Sequence, residues 1–245
     1  MNSIDELVAS KEIEQGSVDS DDSRWKLEEE RYAARQRARR IKQLRADSLL
    51  DNKFREASFE NFERTKSNTR QFEFCHRYAE HFAEMVKQNQ GLLLYGNVGS
   101  GKTYLAACIA NYLLDNEVSV VMTSFVQILR DAQNFSNDFD EWRFIRKPKL
   151  LIIDDLGAER STDYALEKVY GIIDGRYRSK KPMILTTNLS LGQMQASTDI
   201  RYARIYDRIF EVCYPIEFQG RSFRTREAFR RYEKMTRFLE GKDEA

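Results

Sequence analysis

The sequence predicts an α/β fold in which helices cover a parallel five-stranded sheet. Three observations predict it. Five short runs are apolar on both faces, or nearly so: GLLLY (91–95), VSVVM (118–122), KLLIID (149–154), PMILTT (182–187) and EVCYPIEF (211–218). Helical stretches separate them, and strands buried on both faces belong to a parallel sheet with crossover helices. The length, 245 residues, suits one large domain, or one domain with an appendage.

The elements follow in order. Residues 1–23 hold seven acids, one base and few large apolar side chains, which predicts disorder. Residues 24–45 reverse the sign, with nine bases against three acids and no Gly or Pro. Ala, Arg, Glu and Lys favour helix there. Two readings stand for that helix: a solvated surface, or an arm that contacts a protein partner or nucleic acid. SFENFE (58–63) reads as a linker entering a domain. The expected division is a charged arm over 1–55 and a folded domain over 56–245. Residues 70–87 predict one amphipathic helix, with Phe74, Tyr78, His81, Phe82 and Met85 at three- and four-residue steps. Further helices are expected over Lys102 to Leu114, 124–133, 138–146, 162–178, 199–210 and 225–239. Pro215 marks the last strand as an edge or an irregularity.

Composition narrows the function classes. The 40 Lys+Arg and 39 Asp+Glu leave a formal charge of +1. That argues against coating a polyanion by bulk charge, but not against a local basic groove. No apolar run approaches about 18 residues, so no membrane span is expected. The opening MNSIDELVAS does not resemble a secretory signal. Cys75, Cys108 and Cys213 lie far apart, and His76 and His81 are the only histidines. A disulfide scaffold and a zinc site are therefore not expected. The expected compartment is the cytosol.

GNVGSGKT, from Gly96 to Thr103, matches the phosphate-loop pattern GxxxxGK[ST] in full. Gly96, Gly99 and Gly101 let the backbone aim its N–H groups at phosphate oxygens, and Asn97, Val98 and Ser100 complete the loop. The helix that starts there presents its positive end to the anion. Lys102 is placed to reach the outer phosphates, and Thr103 to give a hydroxyl to Mg²⁺. In LLIIDD (150–155), Asp154 emerges at a strand end, where such sheets hold ligands. It is the expected second contributor to Mg²⁺. Asp155 is placed to orient or deprotonate the attacking water, with Glu159 in reserve. Asn188 follows the PMILTT strand and could bond the γ-phosphate or that water. A plain turn-forming Asn is the alternative. The expected cofactors are ATP and Mg²⁺.

GLLLYGNVGSGKTYLAACIA, LLIIDDLGAE, ILTTNLS, RIYDRIFEVC and GRSFRTR occur in that order. The chain thereby resembles the DnaC/IstB group of AAA+ ATPases over about residues 55–238, and is most similar to DnaC-type replicative helicase loaders. The resemblance implies an ATPase that assembles with ATP between neighbouring subunits. Arg208 falls where the group's arginine finger lies, with Arg204 a second candidate one turn earlier. Arg224 matches the arginine that touches nucleotide from within the same subunit, and Arg226 is its near neighbour. Many AAA+ proteins carry Asp-Glu where this chain has Asp154-Asp155, which bears on the base and the hydrolysis rate. Only 219–245 follow the last strand, so the lid should be reduced.

The resemblance implies as partners a hexameric replicative helicase, single-stranded DNA and further copies of the chain. The arm over 1–55 would dock on the helicase. DNA contacts are expected from 124–147, with Arg130, Arg143, Arg146 and Lys147 on phosphates and Phe135, Phe139, Trp142 or Phe144 on bases. Three alternatives remain: an IstB-like helper of a transposase, a regulatory ATP-binding switch with little hydrolysis, and a metabolic phosphate-loop kinase. A helper should carry a longer, more apolar N-terminal domain than 1–50 provides.

Overall fold

The computed structural model describes residues 4–132, 146–157 and 162–240, with the side chains of the first helix described from Arg24 onward. It divides into two compact units, Met1–Gln43 and Leu44–Ala245. The described residues of the first unit lie within one helix, α1 (Ile4–Asp47). Helical backbone therefore runs through the acidic stretch for which composition predicts disorder. That stretch has no proline and a single glycine, Gly16, so no residue in it forbids helix.

The second unit is built on five parallel strands, β1 (Gly91–Gly96), β2 (Val120–Ser124), β3 (Leu150–Leu156), β4 (Met183–Thr187) and β5 (Cys213–Phe218). Their order in the sheet is β2-β3-β4-β1-β5. Pro215 lies on the edge strand, as its missing N–H requires. Every residue of β4 is buried, since β3 and β1 flank it and helices cover both faces.

One face packs α2 (Thr69–Glu80), α3 (Phe82–Gln88) and α4 (Lys102–Asp115) around Phe72, Cys75, Leu105, Ile109 and Leu113. The other packs α5 (Phe125–Ala132), α6 (Asp163–Arg178), α7 (Leu191–Gln195) and α8 (Ile200–Val212) around Phe125, Val169, Ile173, Ile205 and Ile209. The helix expected over 70–87 is two helices. His81 leaves helical geometry at φ −100°, ψ 24°, and Phe82 beyond it is buried against Tyr78, ring centroids 6.0 Å apart.

SFENFE is not a linker. Phe59 and Phe62 are buried, each within 6 Å of the Phe72 ring. The preceding residues also belong to this unit. Leu50 is buried, the Ser48 carbonyl accepts from the Met122 N–H at 2.9 Å, and Asn111 Nδ2 donates to the carbonyls of Phe54 and Ala57.

Arg176 on α6 is fully buried. Its guanidinium donates to the carbonyls of Pro148, Lys149 and Pro182, at 2.7 to 3.1 Å. It thus ties the chain entering β3 to the chain entering β4 and leaves those carbonyls satisfied. After β5 comes α9 (Phe223–Leu239), which has no buried residue. No described helix is long and apolar enough to cross a membrane.

Candidate functional site

The strand order sets the site. β1 ends in the phosphate loop, β3 ends two strands away in the acidic pair, and β4 lies between them. All three open at the same sheet edge, because parallel strands share their C-terminal end. The loop Gly96–Thr103 is threaded with positive φ at Gly96 (116°), Gly99 (73°) and Gly101 (101°). Two of these glycines are also crowded. A Cβ on Gly96 would lie 2.5 Å from the Phe218 carbonyl oxygen, and one on Gly99 would lie 2.2 Å from Ser222 Oγ. The loop is pinned to the segment after β5. Asn97 N–H donates to Phe218 O at 2.8 Å, Asn97 Nδ2 to Gln219 O at 3.0 Å, and Phe223 N–H to Gly99 O at 2.9 Å.

Lys102 is buried at the start of α4. Its ammonium donates to the carbonyls of Gly96 (2.9 Å) and Asn97 (2.7 Å) and to Asn188 Oδ1 (2.9 Å). Asn188, just past β4, therefore sits between the acidic strand and the loop. Burial lowers the Lys102 pKa, while Asp155 and Asp154 oppose that shift and Arg224 adds to it. Ser100 Oγ donates to Asn97 O at 2.6 Å, closing the loop on itself, and Val98 projects exposed at its tip.

Asp154 is half-buried, and one of its oxygens accepts from both Thr103 Oγ1 (2.8 Å) and Thr186 Oγ1 (2.6 Å). Burial raises its pKa, while the two hydroxyl bonds favour the carboxylate. Asp155 follows at φ +57°, where the β3–β4 register shifts between Ile153 and Leu156. This left-handed backbone costs on the order of 1 kcal/mol or more for a residue other than glycine, and it swings the Asp155 side chain out of the ladder into the open. Its N–H is held by Thr186 Oγ1 at 3.0 Å. Thr103 and Asp154 together offer a hydroxyl and a carboxylate oxygen 2.8 Å apart, a donor set that suits a hard oxygen-seeking cation such as Mg²⁺.

A cavity of about 390 Å³ adjoins the phosphate loop, Asp155 and Asn188. Gly99, Ser100, Gly101, Lys102, Thr103, Asp155, Asn188 and Arg224 line its polar side. Arg224, in the first turn of α9, is exposed and has no ion pair among the described residues. Its neighbour Arg226 is instead paired with Glu63 and lies over the Phe223 ring, 4.7 Å from its centroid.

Sequence reasoning missed the aromatic lining of this cavity, Phe54, Phe62, Tyr104 and Phe223. The Phe62 ring is 5.8 Å from that of Tyr104 and 6.3 Å from that of Phe223. The available signal was the paired aromatics of SFENF near the start of the domain. Thr186, the second hydroxyl on Asp154, was visible only as the first residue of TTN (186–188).

Arg208 on α8 is elsewhere. It lines a separate cavity with Tyr170, Tyr177, Arg204, Asp207 and Glu211, which shares no residue with the nucleotide cavity. Its guanidinium is paired with Asp174 at 2.9 Å and bonded to the Tyr170 hydroxyl at 3.0 Å. Arg204 is exposed, with no ion pair among the described residues. Arg130 is exposed on α5. Arg146 and Lys147 are exposed before β3, at the sheet end away from the nucleotide cavity, and their carbonyls accept from Lys181 Nζ. Glu159, Arg143, Phe135, Phe139, Trp142 and Phe144 lie outside the described residues, as does nearly all of the helix expected over 138–146.

A parallel sheet in this order, a complete phosphate loop and an acidic strand tip joined to it by a threonine define an AAA+-type ATP-binding protein. The chain belongs to the IstB-like ATP binding protein family, whose profile matches residues 5–230. The replicative helicase loader DnaI of Bacillus subtilis (strain 168) is 27% identical over 150 residues, covering 56% of this chain and 48% of DnaI. The match thus spans about half of that relative. The replicative helicase loader DnaC of Escherichia coli (strain K12) is 27% identical over 158 residues, 62% of each chain. A crystal structure of DnaI superposes with a TM-score of 0.60 at 28% identity, covering 71% of this chain and 94% of that one.

Proposed function

We propose that this chain is an ATP-dependent loader of the hexameric replicative helicase onto single-stranded DNA. The observation that carries the reading is that two relatives over the ATP-binding domain, DnaI and DnaC, are named replicative helicase loaders. The site geometry supports the ATPase half of it. The unpaired Arg224 and the buried Lys102 face one cavity, where both would neutralise phosphate oxygens. The aromatic wall of Phe62, Tyr104 and Phe223 suits a purine base.

Thr103 and Asp154 would hold Mg²⁺, which when bound supplies charge neutralisation on the phosphates. In the proposed hydrolysis, Asp155 accepts a proton from water as its oxygen attacks the γ-phosphorus and ADP leaves. Asn188 orients the γ-phosphate or the water. Arg208 lies outside the nucleotide cavity of its own chain, so its proposed role is on the site of a neighbouring copy. There it would leave Asp174 and stabilise charge on the γ-phosphate. The arm before the ATPase domain docks on the helicase, and Arg130, Arg146 and Lys147 contact DNA.

Two inactive variants test the shared site. Lys102→Ala damages the phosphate loop and keeps the finger, and Arg208→Ala does the reverse. An equimolar mixture should hydrolyse ATP well above either variant alone, because some interfaces then combine an intact loop with an intact finger. A mixture no better than the sum of its parts rejects the trans role. The IstB-like family profile favours a second reading, an ATPase helper of a transposase. Association with a transposase but not with a replicative helicase would select it.

A further inference from the structure

We infer that one face of α1 is a binding surface for single-stranded DNA, a second site, outside the ATPase domain, for a ligand that the loader reading already requires. Arg31, Arg35, Arg39 and Lys42 follow one another at steps of four, four and three residues. On a continuous helix such steps keep side chains on one face. The row is about 16 Å long, at about 1.5 Å of rise per residue. All four side chains are exposed.

The pairing pattern separates this row from the other cations of the helix. Arg24 and Glu28, which precede Arg31 on the same face, are bridged to each other at 3.8 Å. Lys26, Arg37 and Arg40, which the helical repeat places on the opposite face, each have a partner. Arg31, Arg35, Arg39 and Lys42 have none among the described residues. Like charges at this spacing repel and weaken a helix. A row that keeps four of them adjacent and unpaired is matched by a ligand with regularly spaced negative charge.

The chemistry beside the row favours nucleic acid over other polyanions. Trp25, Tyr32 and Gln36 form the adjoining column, at steps of seven and four residues. Trp25 is 70% exposed and Tyr32 65%. Cations that follow a phosphate backbone, with aromatic rings beside them on which bases stack, are the recurring design for single strands. A membrane surface fits poorly, because the other large apolar residues from Arg24 to Asp47, Leu27, Ile41 and Leu44, fall on different faces from Trp25 and Tyr32. No continuous apolar stripe is left to enter lipid.

The test uses the full chain without nucleotide or helicase. Binding of a fluorescein-labelled oligothymidylate is followed by anisotropy from 50 to 200 mM KCl. Each phosphate neutralised on a single strand contributes about 0.7 to the slope of log K against log salt. The R31Q/R35Q/R39Q/K42Q variant should therefore lose about 3 units of slope, and at least about tenfold in affinity at 50 mM. The charge-retaining R31K/R35K/R39K variant should keep the slope. Circular dichroism of both variants should match the parent. An unchanged slope and affinity in the Gln variant overturns the inference. So does a Gln variant that loses helicase association while binding DNA normally, since the row would then be a protein-docking face. Because the DNA assay contains no helicase, its failure is distinguishable from failure of the loader reading.

Discussion

Gly99→Ala tests how the phosphate loop is coupled to the last helix. Gly99 sits at φ +73°, and an added Cβ would lie 2.2 Å from Ser222 Oγ. Ala in the left-handed region costs about 1 kcal/mol. The overlap is relieved only if Ser222 moves. Ser222 Oγ, however, caps α9 by accepting the Thr225 N–H at 3.2 Å, and the next residue's N–H holds the Gly99 carbonyl. Losing such a cap costs about 1 kcal/mol, and Arg224 lies two residues further on. The two contributions sum to about 2 kcal/mol, with strain beyond that. ATP affinity should fall about 30-fold or more, read as anisotropy of a fluorescent ATP analogue. The second variant isolates the clash. Ser222→Gly alone costs only a few tenths of a kcal/mol at a cap. Combined with Gly99→Ala it removes the obstructing hydroxymethyl, so the double variant should recover to about fivefold below wild type. A Gly99→Ala protein with wild-type affinity, or a double variant no better than the single, would refute the coupling.

Three further outcomes follow from the same contacts. In Asp154→Asn the amide oxygen still accepts from Thr103 and Thr186, so the melting temperature should hold. Mg²⁺-dependent ATP turnover should fall at least about 100-fold, as a phosphate-release assay would show. Arg176→Met leaves the carbonyls of Pro148, Lys149 and Pro182 short of donors in the interior. At about 1 kcal/mol or more for each buried unmet group, denaturant unfolding should show a loss of about 3 kcal/mol or more. Removal of residues 1–43 should leave the Leu44–Ala245 unit folded and binding ATP. Removal of 1–55 should lower its melting point, because it strips the buried Leu50 and the Phe54 carbonyl that Asn111 uses.

What the sequence revealed about the fold depends on how local each signal is. The phosphate loop is one contiguous motif whose glycines have local reasons to be there, and LLIIDD carries its burial pattern and its acids in six residues. Those parts are legible from a few neighbouring residues alone. Residues that act across the sheet are not. Asn188 touches Lys102 from 86 positions away, and only its place at a strand end hinted at this. Thr186 and Arg176 matter because β4 is central, and the order of strands in a sheet is not written in any one strand. SFENFE looked like a linker because its acids suggest solvent, yet Phe59 and Phe62 point inward, and Phe62 walls the nucleotide cavity. The break at His81 was invisible because the three- and four-residue periodicity of the flanking residues continues through it. The Arg208–Asp174 pair joins two helices that only tertiary packing brings together.

The claim on which the account rests is association with a replicative helicase. The direct measurement is the mass in solution of the purified chain mixed with the hexameric replicative helicase of its host and ATP. The account predicts an assembly heavier than the helicase alone, which is lost when residues 1–43 are removed. Two separate masses at every concentration, with or without ATP, would contradict it.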